Sequence, residues 1–167
     1  MTDPQLLICD EPVSALDVSI QAQIINLLEK MRRHHGLTML IISHDMAVVK
    51  NMCDRVAVMY LGKLCEIADS ESLYRVPRHP YTAALLASIP GLNPKRLTRV
   101  VNLQGVEMPS PAFPPSGCRF RTRCPRVQPR CAVDEPLLEK VDPGCQVACH
   151  YPLETIYQDW KSGDREN

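Results

Sequence analysis

Leu6-Leu7-Ile8-Cys9-Asp10-Glu11-Pro12 is the stretch that decides how this 167-residue chain is read. An apolar run ends there in two consecutive carboxylates. A short apolar run bounded by turn residues predicts a strand buried on both faces, here over residues 5–9. In open α/β sheets ligands bind at the C-terminal edge of the strands, which is where Asp10 and Glu11 fall. Asp10 suits a hydrated Mg²⁺ that bridges nucleotide phosphates. Glu11 suits the orientation and deprotonation of an attacking water. Taken alone, the stretch more readily fits a plain strand followed by an acidic turn.

The flanking residues extend the pattern. Ile20, Ile24, Leu27, Leu28 and Met31 recur at helical spacing, with Asp17 or Ser19 as the candidate cap and Gly36 past the end. Residues 37–42 form a second apolar run, and Asp45 caps a short helix over 45–52. Residues 56–60 and 64–68 read as strands around a turn at Gly62-Lys63. Residues 70–75 and 80–87 read as short helices, the second with Pro80 in its first turn. Strand, helix, strand in that order predicts an α/β fold with a parallel core, in which the first two strands deliver Asp10, Glu11 and His44 to one edge. His44, alone, is more readily a capping or core histidine than a phosphate contact.

The grammar changes after residue 91. Ten of the 15 prolines lie between Pro90 and Pro143, and proline removes donors and fixes φ, so little regular structure is expected there. Five of the eight cysteines, Cys118, Cys124, Cys131, Cys145 and Cys149, crowd into the same part. The other three, Cys9, Cys53 and Cys65, sit among apolar residues as small hydrophobes. A loop-rich segment of this length needs a staple. In a reducing compartment clustered cysteines favour metal over disulfides. The spacing Cys118-x5-Cys124-x6-Cys131-x17-Cys149 fits neither a short ferredoxin run nor paired zinc-ribbon knuckles, which leaves a metal site and scattered thiols both open. Zinc is the default for a thiolate site.

Composition limits the function classes. The chain carries 19 basic and 19 acidic residues and is 45% hydrophobic, so no net charge drives it toward nucleic acid or anionic lipid. No apolar run approaches the roughly 18 residues of a membrane span. The first residues lack the basic stretch and apolar core of a secretory signal. A cytoplasmic protein is expected.

Asp10-Glu11-Pro12, Ser14-Ala15-Leu16-Asp17 and Ser43-His44-Asp45, in this order and spacing, resemble the Walker B motif, D-loop and switch histidine of ABC transporter ATPases. The resemblance implies the C-terminal part of a P-loop NTPase, with Asp10 linked to Mg²⁺ and Glu11 as catalytic base. It further implies His44 as γ-phosphate sensor, and Ser14 to Asp17 as the loop facing a second ATPase subunit. His79-Pro80-Tyr81-Thr82, and Pro109-Ser110-Pro111 leading to Pro115-Ser116-Gly117-Cys118, narrow it to the oligopeptide/dipeptide branch. For that branch the expected partners are transmembrane permease subunits and, indirectly, a solute-binding protein, with the ATPase on the cytoplasmic face of the membrane. The expected division is an ATPase part over 1–91, a Cys-rich module over 92–153 and a polar tail over 154–167.

Two departures and one addition follow. None of the seven glycines sits in a Gly-x-x-x-x-Gly-Lys-Ser/Thr pattern, and no Leu-Ser-Gly-Gly-Gln signature occurs. The cassette is thus expected to be cut before its Walker B strand, leaving a chain unable to bind or hydrolyse ATP alone. Cys118-Arg119-Phe120-x-x-Arg123-Cys124-Pro125 resembles the C-terminal extension of peptide-transporter ATPases, where four cysteines are associated with a 4Fe–4S cluster. That likeness implies Cys118, Cys124, Cys131 and Cys149 as ligands, with zinc as the alternative. Cys145 is a spare thiol or a substitute for Cys149. Between residues 92 and 130 eight Lys or Arg face Glu107 alone, a net +7 that would offset an anionic centre. The rival functions are a non-enzymatic metal-cluster or dimerisation module and a zinc-dependent nucleic-acid binder. Phe113 and Phe120 are too few for a convincing base-stacking platform.

Overall fold

The computed structural model describes residues 4–14, 16–89 and 108–153. The expected boundary at 91, the basic residues Lys95, Arg96 and Arg99, and the tail over 154–167 lie outside the described residues. Helices and strands are mixed in two compact units, Met1–Cys53 and Asp54–Asn167. No helix among the described residues is long and apolar enough to cross a membrane.

The first unit runs β1 (Leu6–Asp10), α1 (Val18–His35), β2 (Thr38–Ile42) and α2 (Met46–Met52). Parallel strands need a long crossover, and α1 supplies it. Its start is set by Asp17, whose carboxylate accepts from the Ile20 N–H at 3.0 Å. Its end is set by Gly36 at φ 62°, the left-handed geometry that lets the Gly36 N–H reach the Arg32 carbonyl. Arg32, Arg33, His34 and His35 occupy the last turn, where positive charge complements the helix dipole. β1 and β2 pair in parallel, from Leu6 opposite Thr38 to Asp10 opposite Ile42.

This sheet corrects one expectation. β1 is not buried on both faces. Among the described residues its sheet has two strands, and Leu6 (51%), Ile8 (60%), Leu40 (51%) and Ile42 (49%) are exposed. Their shared parity and register put them on one face, opposite Leu7, Cys9, Met39 and Ile41.

The second unit begins with a hairpin. β3 (Arg55–Tyr60) alternates exposed and buried residues, and β4 (Lys63–Asp69) returns antiparallel to it. The two-residue loop between them, Leu61 at φ 45° and Gly62 at φ 77°, is left-handed at both positions, as a type I′ hairpin turn requires. The strained Leu61 is anchored by Arg119, whose guanidinium donates to the Leu61 carbonyl. Then come α3 (Ser70–Arg75), α4 (Pro80–Ala87), the short α5 (Arg130–Val133), β5 (Glu139–Asp142) and β6 (Cys145–Val147).

β6 inserts between β4 and β5, giving the antiparallel order β3-β4-β6-β5. Regular structure thus reaches into the proline-rich part, against expectation. Within 139–147 the single proline, Pro143, sits in the hairpin loop, where its missing N–H costs no ladder bond. Gly144 follows at φ 77°, the left-handed third residue of a type II turn.

Glu66 ties this unit together. It is 0% exposed in the middle of β4. Its two carboxylate oxygens accept the backbone N–H groups of Arg78 at 2.8 Å and His79 at 2.9 Å. Burial pushes the Glu66 carboxyl above its usual range, while those N–H groups and the Arg78 guanidinium pull the other way. Arg78 continues the chain of bonds, donating to Asp142 and, at 2.8 Å, to the Leu153 carbonyl. Replacing Glu66 with Ala orphans two buried donors at about 1–3 kcal/mol each, so Glu66→Ala is expected to cost about 2–6 kcal/mol. Urea denaturation followed by circular dichroism measures it, and a midpoint unchanged at equal slope would contradict the assignment.

Candidate functional site

The carboxylates and imidazole singled out in the first unit come together at one strand edge. β1 ends at Asp10, which is exposed. Glu11 follows at φ 48°, a left-handed conformation that costs energy in any residue bearing a Cβ. The turn is held by the Glu11 N–H, which donates to the Ile42 carbonyl at 2.9 Å, and by Ser14, whose hydroxyl donates to the Glu11 carbonyl at 3.2 Å. β2 ends in Ser43-His44-Asp45. Asp45 caps α2 by accepting from Ala47 and Val48. This frees the preceding His44 to point at Glu11, with Nδ1 lying 2.9 and 3.0 Å from the two carboxylate oxygens.

The Glu11–His44 pair is a proton-sharing unit open to solvent. His44 is 76% exposed. The Glu11 hydrogen bond, followed by its charge, raises the His44 pKa above the usual 6.5. Ser14 and Asp17 belong to the adjoining turn and the first cap of α1. The Asp17 carboxylate is engaged by the Ile20 N–H. A raised histidine pKa means that pairing stabilises the protonated ring. That contribution is present at pH values below the ordinary pKa and is lost as pH rises through the raised one. In Glu11→Gln the His44 pKa should fall back toward 6.5, as followed by the imidazole chemical shift in an NMR titration. An unchanged midpoint would refute the coupling.

The second constellation lies in the second unit. Cys118, Cys124, Cys131 and Cys149 line one small cavity, together with His79 and Arg126. Local turns present them. The Arg121 N–H closes onto the Cys118 carbonyl at 3.1 Å, and the Val127 N–H onto that of Cys124 at 3.3 Å. Cys131 lies in α5, and the Cys118 N–H donates to its carbonyl at 2.9 Å. Cys149 comes just after β6, where the Ala148 N–H donates to the Cys65 carbonyl at 2.8 Å.

Backbone N–H groups are aimed at the sulfurs: Phe120 and Arg121 at Cys118, Arg126 at Cys124 and Tyr151 at Cys149. Burial outweighs them. It raises the Cys118 thiol, pushes Cys124 up to about 11 and pushes Cys149 up to about 12. Without a cation these thiols therefore stay neutral. Among the described residues no three His, Cys, Asp or Glu side chains gather around a single metal-ion position. Cys145 is buried but does not line the cavity.

Sequence reasoning missed three neighbours. Cys65, read as a small hydrophobe, packs with Tyr60 and Phe120 against Cys118 and Cys124. Glu66 carried no motif. His79 is 1% exposed, and burial lowers its pKa to about 4. Its place before Pro80 at a helix start was the available signal.

Gly117 sets the spacing of the thiols. At φ 61°, a Cβ there would sit 2.5 Å from the Cys131 carbonyl oxygen and 2.9 Å from the Ala132 carbonyl carbon. Both obstacles are backbone. Gly117→Ala is therefore expected to push Cys118 off Cys131 and cost about 1–3 kcal/mol. Faster alkylation of the buried thiols and a lower melting temperature would register it. Wild-type values for both would refute the close approach.

Residues 65–131 match the family described as oligopeptide/dipeptide transporter, C-terminal region. YkfD of Bacillus subtilis, a candidate oligopeptide transport ATP-binding protein, is 52% identical over 151 residues, which are 89% of this chain and 45% of YkfD. A candidate peptide import ATP-binding protein of Brucella ovis is 56% identical over 147 residues, 88% of this chain and 46% of the relative. The oligopeptide transport ATP-binding protein OppF of Salmonella typhimurium is 53% identical over 139 residues, 82% of this chain and 41% of OppF. The chain thus spans less than half the length of these relatives. Over most of its length the chain is similar to ATP-binding proteins of oligopeptide and peptide import, and residues 65–131 carry the C-terminal region of the oligopeptide/dipeptide transporter family.

Proposed function

We propose that this chain contributes the water-activating edge of an ATPase that drives import of di- or oligopeptides. The observation that carries the reading is the Glu11–His44 pair beside Asp10 at the ends of two parallel strands. In this reading Glu11 is the catalytic base and accepts a proton from the attacking water. His44 holds Glu11 in place and senses the terminal phosphate. Asp10 faces solvent without a helix to cap and takes the Mg²⁺ that accompanies ATP. Ser14 and Asp17 shape the turn presented to a second ATPase subunit. Transmembrane permease subunits and a solute-binding protein complete the machine, which places this chain on the cytoplasmic face of a membrane.

Phosphoryl transfer depends on positioning and on charge neutralisation around the phosphates. The 167 residues contain no Gly-x-x-x-x-Gly-Lys-Ser/Thr stretch to provide them. Asp10 and Glu11 therefore act together with phosphate-binding groups outside this sequence, and the 167 residues alone turn over no ATP. In the second unit, Cys118, Cys124, Cys131 and Cys149 hold a 4Fe–4S cluster, with zinc as the alternative. Four thiols on one cavity and backbone N–H groups aimed at three of them fit an anionic sulfur-ligated centre. Such a group supplies a structural staple and one-electron redox chemistry. A metal-cluster module without ATPase chemistry is the second reading, favoured by the compactness of Asp54–Asn167.

The deciding experiment measures ATP hydrolysis by the complete subunit assembled with its permease. Glu11→Gln should lower turnover by about two orders of magnitude or more while ATP binding persists, the size of effect expected for a lost general base. Full turnover in that variant would refute the assignment of Glu11, and turnover by the 167 residues alone that Glu11→Gln abolishes would refute the need for phosphate-binding groups outside this sequence.

A further inference from the structure

His79 borders the thiol cavity with a nitrogen that the fold leaves unused. Its Nδ1 is spoken for, because the Tyr81 N–H donates to it at 3.0 Å. That bond is the N-cap of α4, and Pro80 has no N–H to compete for it. A neutral imidazole whose Nδ1 accepts must carry its proton on Nε2. The ring is buried against Phe120, with centroids 5.8 Å apart, and it lines the cavity shared by Cys118, Cys124, Cys131 and Cys149. Nε2 makes no hydrogen bond to any described residue. Nε2 is not among the fully enclosed unpaired atoms, so this free N–H is open to an acceptor belonging to the occupied cavity.

Resting on the reading that a sulfur-ligated centre fills this cavity, we propose that the Nε2–H of His79 donates a hydrogen bond to a sulfur of that centre. His79 is then a positioning residue and not a metal ligand. Ligation through Nε2 would require its proton to move to Nδ1, where it would face the Tyr81 N–H head-on. A ligating histidine normally donates its other N–H to an acceptor, and here the other nitrogen receives one. His150, on the same cavity, shows the contrast. Its Nε2 lies 3.0 Å from the Asp134 carbonyl, so its ring proton is already committed to the backbone. Hydrogen bonds to cluster sulfur favour the more negative, reduced state and so raise the reduction potential. The donor's place at the root of α4 also makes that potential depend on how α4 is seated.

The test uses the complete subunit purified without oxygen. Iron and acid-labile sulfide are assayed, and the midpoint potential is read by redox titration. Three proteins are compared: wild type, His79→Phe and His79→Gln, with His79→Leu standing in should phenylalanine not be accommodated. Both classes of variant lose the Nδ1 cap, but glutamine keeps an N–H₂ at the position of Nε2. Iron and sulfide should be retained throughout. The potential should shift negative in the phenylalanine or leucine variant and return toward wild type in His79→Gln. Equal potentials in all three overturn the donor role while the cluster stands. Loss of iron from both variants overturns it in favour of direct ligation. Wild-type protein holding zinc, or no metal, overturns the cluster reading and this inference together, an outcome visible before any variant is made.

Discussion

A single buried carboxylate organises the second unit. Glu66 sits in the middle of a strand, out of water, where an ionised group is expensive unless its oxygens are filled. Both are filled, by the N–H groups of two consecutive residues, Arg78 and His79. This fixes the chain at the entry to α4. Arg78 carries the constraint to Asp142 in β5 and to Leu153, while the Leu153 N–H returns a bond to the Arg78 carbonyl at 2.8 Å. One side chain thus sets the angle of a helix, the position of a hairpin and the end of the described chain. The thiol cavity, walled by His79 and Cys149, inherits its shape from that arrangement.

The two candidate sites rest on opposite electrostatic designs. The Glu11–His44 pair lies in the open, at a strand edge, where solvent screens it and where substrate and water can enter. Its members hold each other by charge. The four thiols line an interior cavity, where burial suppresses the ionisation of Cys118, Cys124 and Cys149 and backbone N–H groups support negative sulfur on those three. The first design suits a reaction with a transient visitor. The second suits a resident group that is seldom exchanged.

Local chemistry was legible in the sequence; distant pairing was not. Asp17 as a cap, Gly36 as a stop and Pro80 in the first turn of α4 each depend on neighbours within a few residues. The edge carrying Asp10, Glu11 and His44 was legible for the same reason, since adjacent apolar runs separated by one helix pair almost by default. The exposure of Leu6 and Ile8 does not follow from their own pattern, because an apolar run does not reveal how many strands flank it. Proline density hid the β5–β6 hairpin, although its one proline falls in the loop. Glu66 reads as a solvent-facing strand residue until the N–H groups 12 and 13 positions downstream are brought against it.

The insertion of β6 between β4 and β5 carries a temporal consequence. β3 and β4 are neighbours in sequence and can pair as soon as both exist. β6 must reach the free edge of β4 across a long intervening segment, and such non-local pairings form late because the loop-closure entropy comes first. Cys118, Cys124 and Cys131 are made before β6, whereas Cys149 follows two residues behind its end. During synthesis the first three thiols are therefore present while the fourth is still missing. The cavity acquires its last wall only when the sheet is completed, so assembly of the site and completion of the fold are one event.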